Sequence, residues 1–168
     1  MSTSNSDPDG AWDDVGLRTY QKLARRTGLV ECYVAHWHWY GGCLDPGGTV
    51  RIRLNRYPRR ATIKAEAFDK WQDAPSEVKR RVLTGAEWQR VIEWMEDAGF
   101  WQLSSRHHPS SGGFHGEIWM IEGFRDGRFH FVRRTTWSIL EGEGAEVFRV
   151  GESMARLAGV TRFQFPQK

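Results

Sequence analysis

The chain has 168 residues, 39% of them hydrophobic and 27% charged, which is enough to bury one core and makes a single globular domain the default. Its net charge is only +3, but Asp7, Asp9, Asp13 and Asp14 crowd the first fourteen residues, and without those four the rest carries +7. No apolar run is long enough for a membrane span, the polar acidic start does not read as a signal peptide, and two cysteines, Cys32 and Cys43, make no disulfide framework. A cytoplasmic protein with free thiols and a basic, arginine-rich body is expected, one that meets an acidic partner rather than a membrane.

Residues 1–13 are rich in Ser, Asn, Asp, Pro and Gly and are expected to form a flexible acidic leader. From Asp14 to Thr27, Leu17, Tyr20, Leu23 and Ala24 recur at helical spacing, with Gly28 as a stop. Leu29 to Tyr40 is aromatic and β-branched and reads as a strand, followed by turn residues in "GGCLDPGG". "TVRIRLN" (49–55) and "RATIKAEA" (60–67) alternate apolar and polar residues and predict a hairpin around Tyr57 and Pro58. Its outer face would carry Arg51, Arg53 and Lys64, with Arg56, Arg59 and Arg60 near its turn.

Lys79 to Leu83 is a candidate short strand, and Thr84 with Glu87 three residues on predicts a capping box opening a helix that Gly99 ends. Residues 104–116, "SSRHHPSSGGFHG", are a loop by composition. "EIWMIEGFRDGRFHFVRRTTW" (117–137) is the clearest hairpin, with Asp126 and Gly127 as a type I′ turn. That turn sets Phe124 opposite Phe129, Ile121 opposite Val132 and Trp119 opposite Arg134. Glu143 to Ala158 is the last amphipathic helix, and residues 161–168 form a C-terminal tail. The expected fold class is α+β: one domain (14–160), with an antiparallel, meander-like sheet and helices packed mainly on one face.

"LTGAEWQRVIEWMEDAGFWQL", "WMIEGFRDGRFHFVRRTTW" and the closing "LAG" resemble a family of small, mostly uncharacterised bacterial proteins. That family has an LT.EEW helix, a GFW.L exit and a W.LEG..DG.YH.V.RW hairpin. The resemblance spans roughly residues 50–159 and rests on Trp88, Phe100, Trp101, Trp119, Glu122, Gly123, Asp126, Gly127, His130, Arg134 and Trp137. The chain departs from the pattern at Gly113, Phe114, His115 and Gly116, where the family has an acidic residue. The resemblance implies a fold outline and assigns no activity.

Three functional readings follow. His36 and His38 share a strand face with Cys32, and with the loop histidines His107, His108 or His115 they would suit a metal-dependent enzyme. The basic 51–64 hairpin could track the phosphates of a nucleic acid. The leading expectation is neither, since the chain lacks a GxSxG elbow, a phosphate-binding glycine loop, a CxxC pair and an HExxH helix. Glu122 and His130, the best acid and base candidates by that resemblance, fall on opposite faces of their hairpin. Nine tryptophans and many arginines fit a non-enzymatic binding protein, most concretely an immunity or antitoxin-type inhibitor, needing no cofactor and no metal. Its partner-binding residues are expected to be Arg51, Arg53, Arg59, Arg60, Trp37, Trp39, Tyr40, His107, His108 and Phe114.

Overall fold

The computed structural model describes residues 8–40, 47–69, 74–105, 116–136 and 144–160. In chain order these form α1 (Pro8–Thr27), β1 (Glu31–Tyr40), β2 (Gly48–Tyr57), β3 (Arg60–Asp69), β4 (Glu77–Leu83) and α2 (Gly85–Asp97). A 3₁₀ turn (Phe100–Gln102) then leads to β5 (Gly116–Arg125), β6 (Arg128–Thr135) and α3 (Ala145–Leu157). The six strands make one antiparallel sheet in the order β4-β3-β2-β1-β5-β6, so the fold is α+β as the sequence patterns predict. Among the described residues no helix is long and apolar enough to cross a membrane.

Local chemistry accounts for the boundaries. Thr84 caps α2: its side chain accepts from the Glu87 amide at 3.2 Å, while its own amide donates to Glu87 Oε2 at 2.8 Å. Asp126 and Gly127 both adopt positive φ, 51° and 73°, as a type I′ turn requires. That turn sets the β5–β6 register as read from the sequence, including Phe124 opposite Phe129 and Trp119 opposite Arg134. Helix α1 reaches back to Pro8, into the stretch expected as leader, and so runs longer than its apolar periodicity alone indicates.

The sheet buries one face under α2 and α3 and part of the other under α1. On the first face Tyr33, Ala35 and Trp37 of β1 join the aliphatic positions of β2 and β3, and Trp119 and Ile121 of β5. They meet Trp88, Val91 and Met95 of α2 and Val147, Val150 and Met154 of α3. A second, smaller cluster on the opposite face holds Tyr20, Leu29, Cys32, Val34 and Phe124, with Leu17, Leu23 and Phe129 packed against it. Strand β1 is therefore buried on both sides over its first half, because it lies at the centre of the sheet with β2 and β5 as neighbours.

Candidate functional site

The α1 side of the sheet can be read as rungs, because residues directly opposite in an antiparallel ladder project to the same face. One rung runs Val78, Glu66, Arg51, His36, Met120 and Arg133 from β4 to β6. The next runs Arg80, Lys64, Arg53, Val34, Glu122 and Phe131, and a third runs Val82, Thr62, Asn55, Cys32, Phe124 and Phe129. Five cations thus stand on the first two rungs with only Glu66 and Glu122 to oppose them.

Helix α1 crosses the β6 end of these rungs and is pinned there by Tyr20. The Tyr20 ring stacks on Phe124 and Phe129 at 5.7 and 5.5 Å, and its hydroxyl donates to Glu122 Oε2 at 2.6 Å. Glu122 Oε1 lies 3.4 Å from His36 Nε2, a diagonal neighbour on the adjacent strand. Between helix and sheet a cleft of about 880 Å³ remains. Val15, Thr19, Lys22, Leu23 and Arg26 of α1 line one side, and His36, Arg51, Arg53, Met120, Glu122 and Arg133 are among the sheet residues facing them.

Burial would raise the Glu122 carboxyl, but hydrogen bonds with His36 and Tyr20 and the charge of Arg53 outweigh it and hold the carboxyl below its usual range. Burial above all pushes the Tyr20 hydroxyl far above the ordinary phenol value, and it pushes the Cys32 thiol up to about 12. At neutral pH the network therefore consists of a fixed phenol donor and an ionised carboxylate, an arrangement that holds a charge in place. The folded pKa of Glu122 lies below the unfolded one, so its stabilisation is complete above the ordinary carboxylate value of 4.5 and is lost as pH falls through the folded value. The stability gap between wild type and Glu122→Gln is accordingly expected to be flat near neutrality and to shrink in acid, measured by urea unfolding at stepped pH; a gap that stays constant into strong acid contradicts the assignment.

The cations are not equally available. Glu66 is buried and takes Arg51 at 2.8 Å, with Lys64 on its other oxygen, so the expected binding residue Arg51 and its neighbour Lys64 are already paired within the sheet. Burial tends to raise the Glu66 carboxyl, but its bonds to Lys64 and Arg51 hold it below the usual range. Arg53 differs: its Nε is buried and finds no hydrogen-bond partner among the described residues. Arg59 and Arg60 are exposed at the β2–β3 turn, where the Arg60 guanidinium lies 5.4 Å from the centre of the Tyr57 ring.

Trp37, expected as a surface anchor, is corrected to a core residue. It is 5% exposed and stacks on Trp119 at 5.3 Å, because the odd positions of β1 face α2 and α3. Trp39 packs partly buried against the same core and over Gly48. Tyr40 closes β1, its side chain outside the description, and His107, His108 and Phe114 lie outside the described residues altogether. His36 and His38 share a face with Cys32 as expected, yet each has its own partner. His38 Nδ1 is 2.9 Å from Thr49 Oγ1, and the Cys32 thiol donates to Asn55 Oδ1 at 3.1 Å. Among the described residues no three of His, Cys, Asp and Glu gather as metal ligands. His130 projects from the face opposite Glu122, 3.0 Å from the Leu103 carbonyl, as the turn register predicts.

What sequence reading missed is Tyr20 as a partner of Glu122. The two are 102 positions apart, and no local spacing signals their meeting. The nearest sequence signal was the β5 position of Glu122, which placed it on a strand but not opposite Val34. The fold and cleft thus define an α+β domain with a cation-rich pocket on a half-covered sheet. No model of a known protein family matches the chain, and no curated protein matches it.

Proposed function

We propose that the protein is a non-enzymatic binding protein, most concretely an immunity or antitoxin-type inhibitor, that occludes an acidic partner protein with the β2–β4 half of its sheet. The observation behind this reading is the pairing of apolar and cationic groups on β4. Val78 and Val82 are 43% and 64% exposed, flank Arg80 on the same face, and continue across β3 and β2 into Lys64 and Arg53. A scattered exposed valine needs no explanation. Two on one face of an edge strand, set among arginines, have the make-up of an interface with apolar contacts inside a charged surround.

The same cations would meet a nucleic acid, but phosphates gain nothing from Val78 and Val82, and Glu66 lies between Arg51 and Lys64 where a phosphate would have to sit. A protein partner accounts for both features. Capture from native lysate tests the reading, comparing wild type with an Arg80→Glu, Val82→Glu variant. Wild type is expected to retain a stoichiometric protein partner that survives nuclease, and the variant to lose it. Equal capture by both, no partner at all, or a complex dissolved by nuclease sinks the reading.

A further inference from the structure

The cleft beneath α1 adjoins that surface at Arg53 but does not reach its β4 edge, since none of Val78, Arg80 and Val82 lines it. We propose that it binds a small amphipathic anion, a single carboxylate, sulfonate or phosphate-ester head carried on an apolar body. Its volume, about 880 Å³, falls in the range of pockets that enclose small organic ligands. Its walls divide by chemistry. Val34, Met120 and Phe131 of the sheet and Leu23 of α1 offer apolar surface to the body.

Cations supply the head site. Arg53 stands beside Val34 with a buried Nε that has no partner among the described residues, and an unmet buried donor is a standing cost that an oxyanion removes. Lys22 and Arg26 reach the cleft from α1 and Arg133 from β6. The protein's own anion there is already engaged: Glu122 is held by Tyr20 and His36. Because that carboxylate is ionised and inside the same cleft, it favours a ligand with a single anionic head over one that carries several. Tyr20, stacked on Phe124 and Phe129 at the third rung, stands in the cleft wall there, which favours a short body over a passing chain.

The test is fluorescence titration of the purified full chain with anilinonaphthalene sulfonate, followed by displacement. One probe is expected to bind per chain. Decanoate and decyl phosphate should displace it at least about tenfold more strongly than decanol or decyltrimethylammonium, which keep the tail and change the head. Decanoate and decyl phosphate together tell a carboxylate from a phosphate source. Inorganic phosphate, a head without a body, should not compete. Arg53→Gln is expected to weaken decanoate about tenfold while near-ultraviolet circular dichroism stays that of the wild type. Displacement by decanol equal to that by decanoate overturns the proposal on the wild-type protein alone, whatever the variants do. So does an affinity within twofold of wild type in both Arg53→Gln and Arg133→Gln.

Discussion

Trp119→Ala is expected to destabilise the protein by about 3–5 kcal/mol, the range for removing a fully buried large aromatic side chain. The indole is 1% exposed and stacks on Trp37 with 5.3 Å between centroids and 5° between planes. Helix α3 approaches it closely only because Gly151 stands at the crossing, where an added Cβ would lie 2.3 Å from the Trp119 ring. Deleting the ring therefore opens a cavity shared by β1, β5 and α3, and rigid secondary structure cannot collapse to fill it. The converse change, Gly151→Ala, overpacks the same contact and is expected to cost about 1–3 kcal/mol. Urea unfolding followed by circular dichroism measures both. Since small domains have only about 5–15 kcal/mol in total, the first loss is large; a loss under about 1 kcal/mol would show that the stack does not hold the layers together.

Tyr20→Ala is expected to cost a similar amount, about 3–5 kcal/mol, and to do so by releasing α1 from the sheet. The side chain is 7% exposed and ties the helix down twice, through its stack with Phe124 and Phe129 and through its bond to Glu122. Tyr20→Phe keeps the ring and removes only the hydroxyl, and is expected to cost about 1.5–3 kcal/mol because a hydrogen bond to a carboxylate is lost in a part-buried setting. Hydrogen exchange separates this from global weakening. In Tyr20→Ala the amides of α1 should exchange much faster while those of β1 and β5 keep their order of protection. Uniform acceleration across the sheet would mean that α1 is integral to the main core and not a cover over a cleft.

Much of the architecture was legible because it is written in short-range terms. Val50, Ile52 and Leu54 alternate with Arg51 and Arg53, and that period of two announces a strand with one buried face. Thr84 and Glu87 mark the start of α2 three residues apart, and Asp126 with Gly127 specifies a turn whose geometry alone sets every pair in the last hairpin. The site was less legible. Arg51 and Arg53 were found, but Glu66, which takes up Arg51, was read only as a polar position on the neighbouring strand. Trp37 and Trp39 looked like surface anchors because composition counts aromatic residues without saying which face they occupy; β1 turns that face toward α2 and α3. Residues 31–43, "ECYVAHWHWYGGC", resolve in their described part, up to Tyr40, into a tryptophan face toward the core and a histidine face from which His36 reaches the cleft.

By itself, then, the sequence determined the strands and helices, the register of the last hairpin, the α+β class and the arginine-bearing face of β2, since each depends on neighbours within a few residues. Only the tertiary structure decided that β1 lies between β2 and β5, which brings Val34 opposite Glu122, and that α1 covers the face opposite α2 and α3. It also decided that Tyr20, Glu122 and His36 meet at the edge of a cation-lined cleft. The physical reason is that strand order and the choice of face are settled by the total apolar area a layered packing can bury, a property of the whole chain that no window of residues contains.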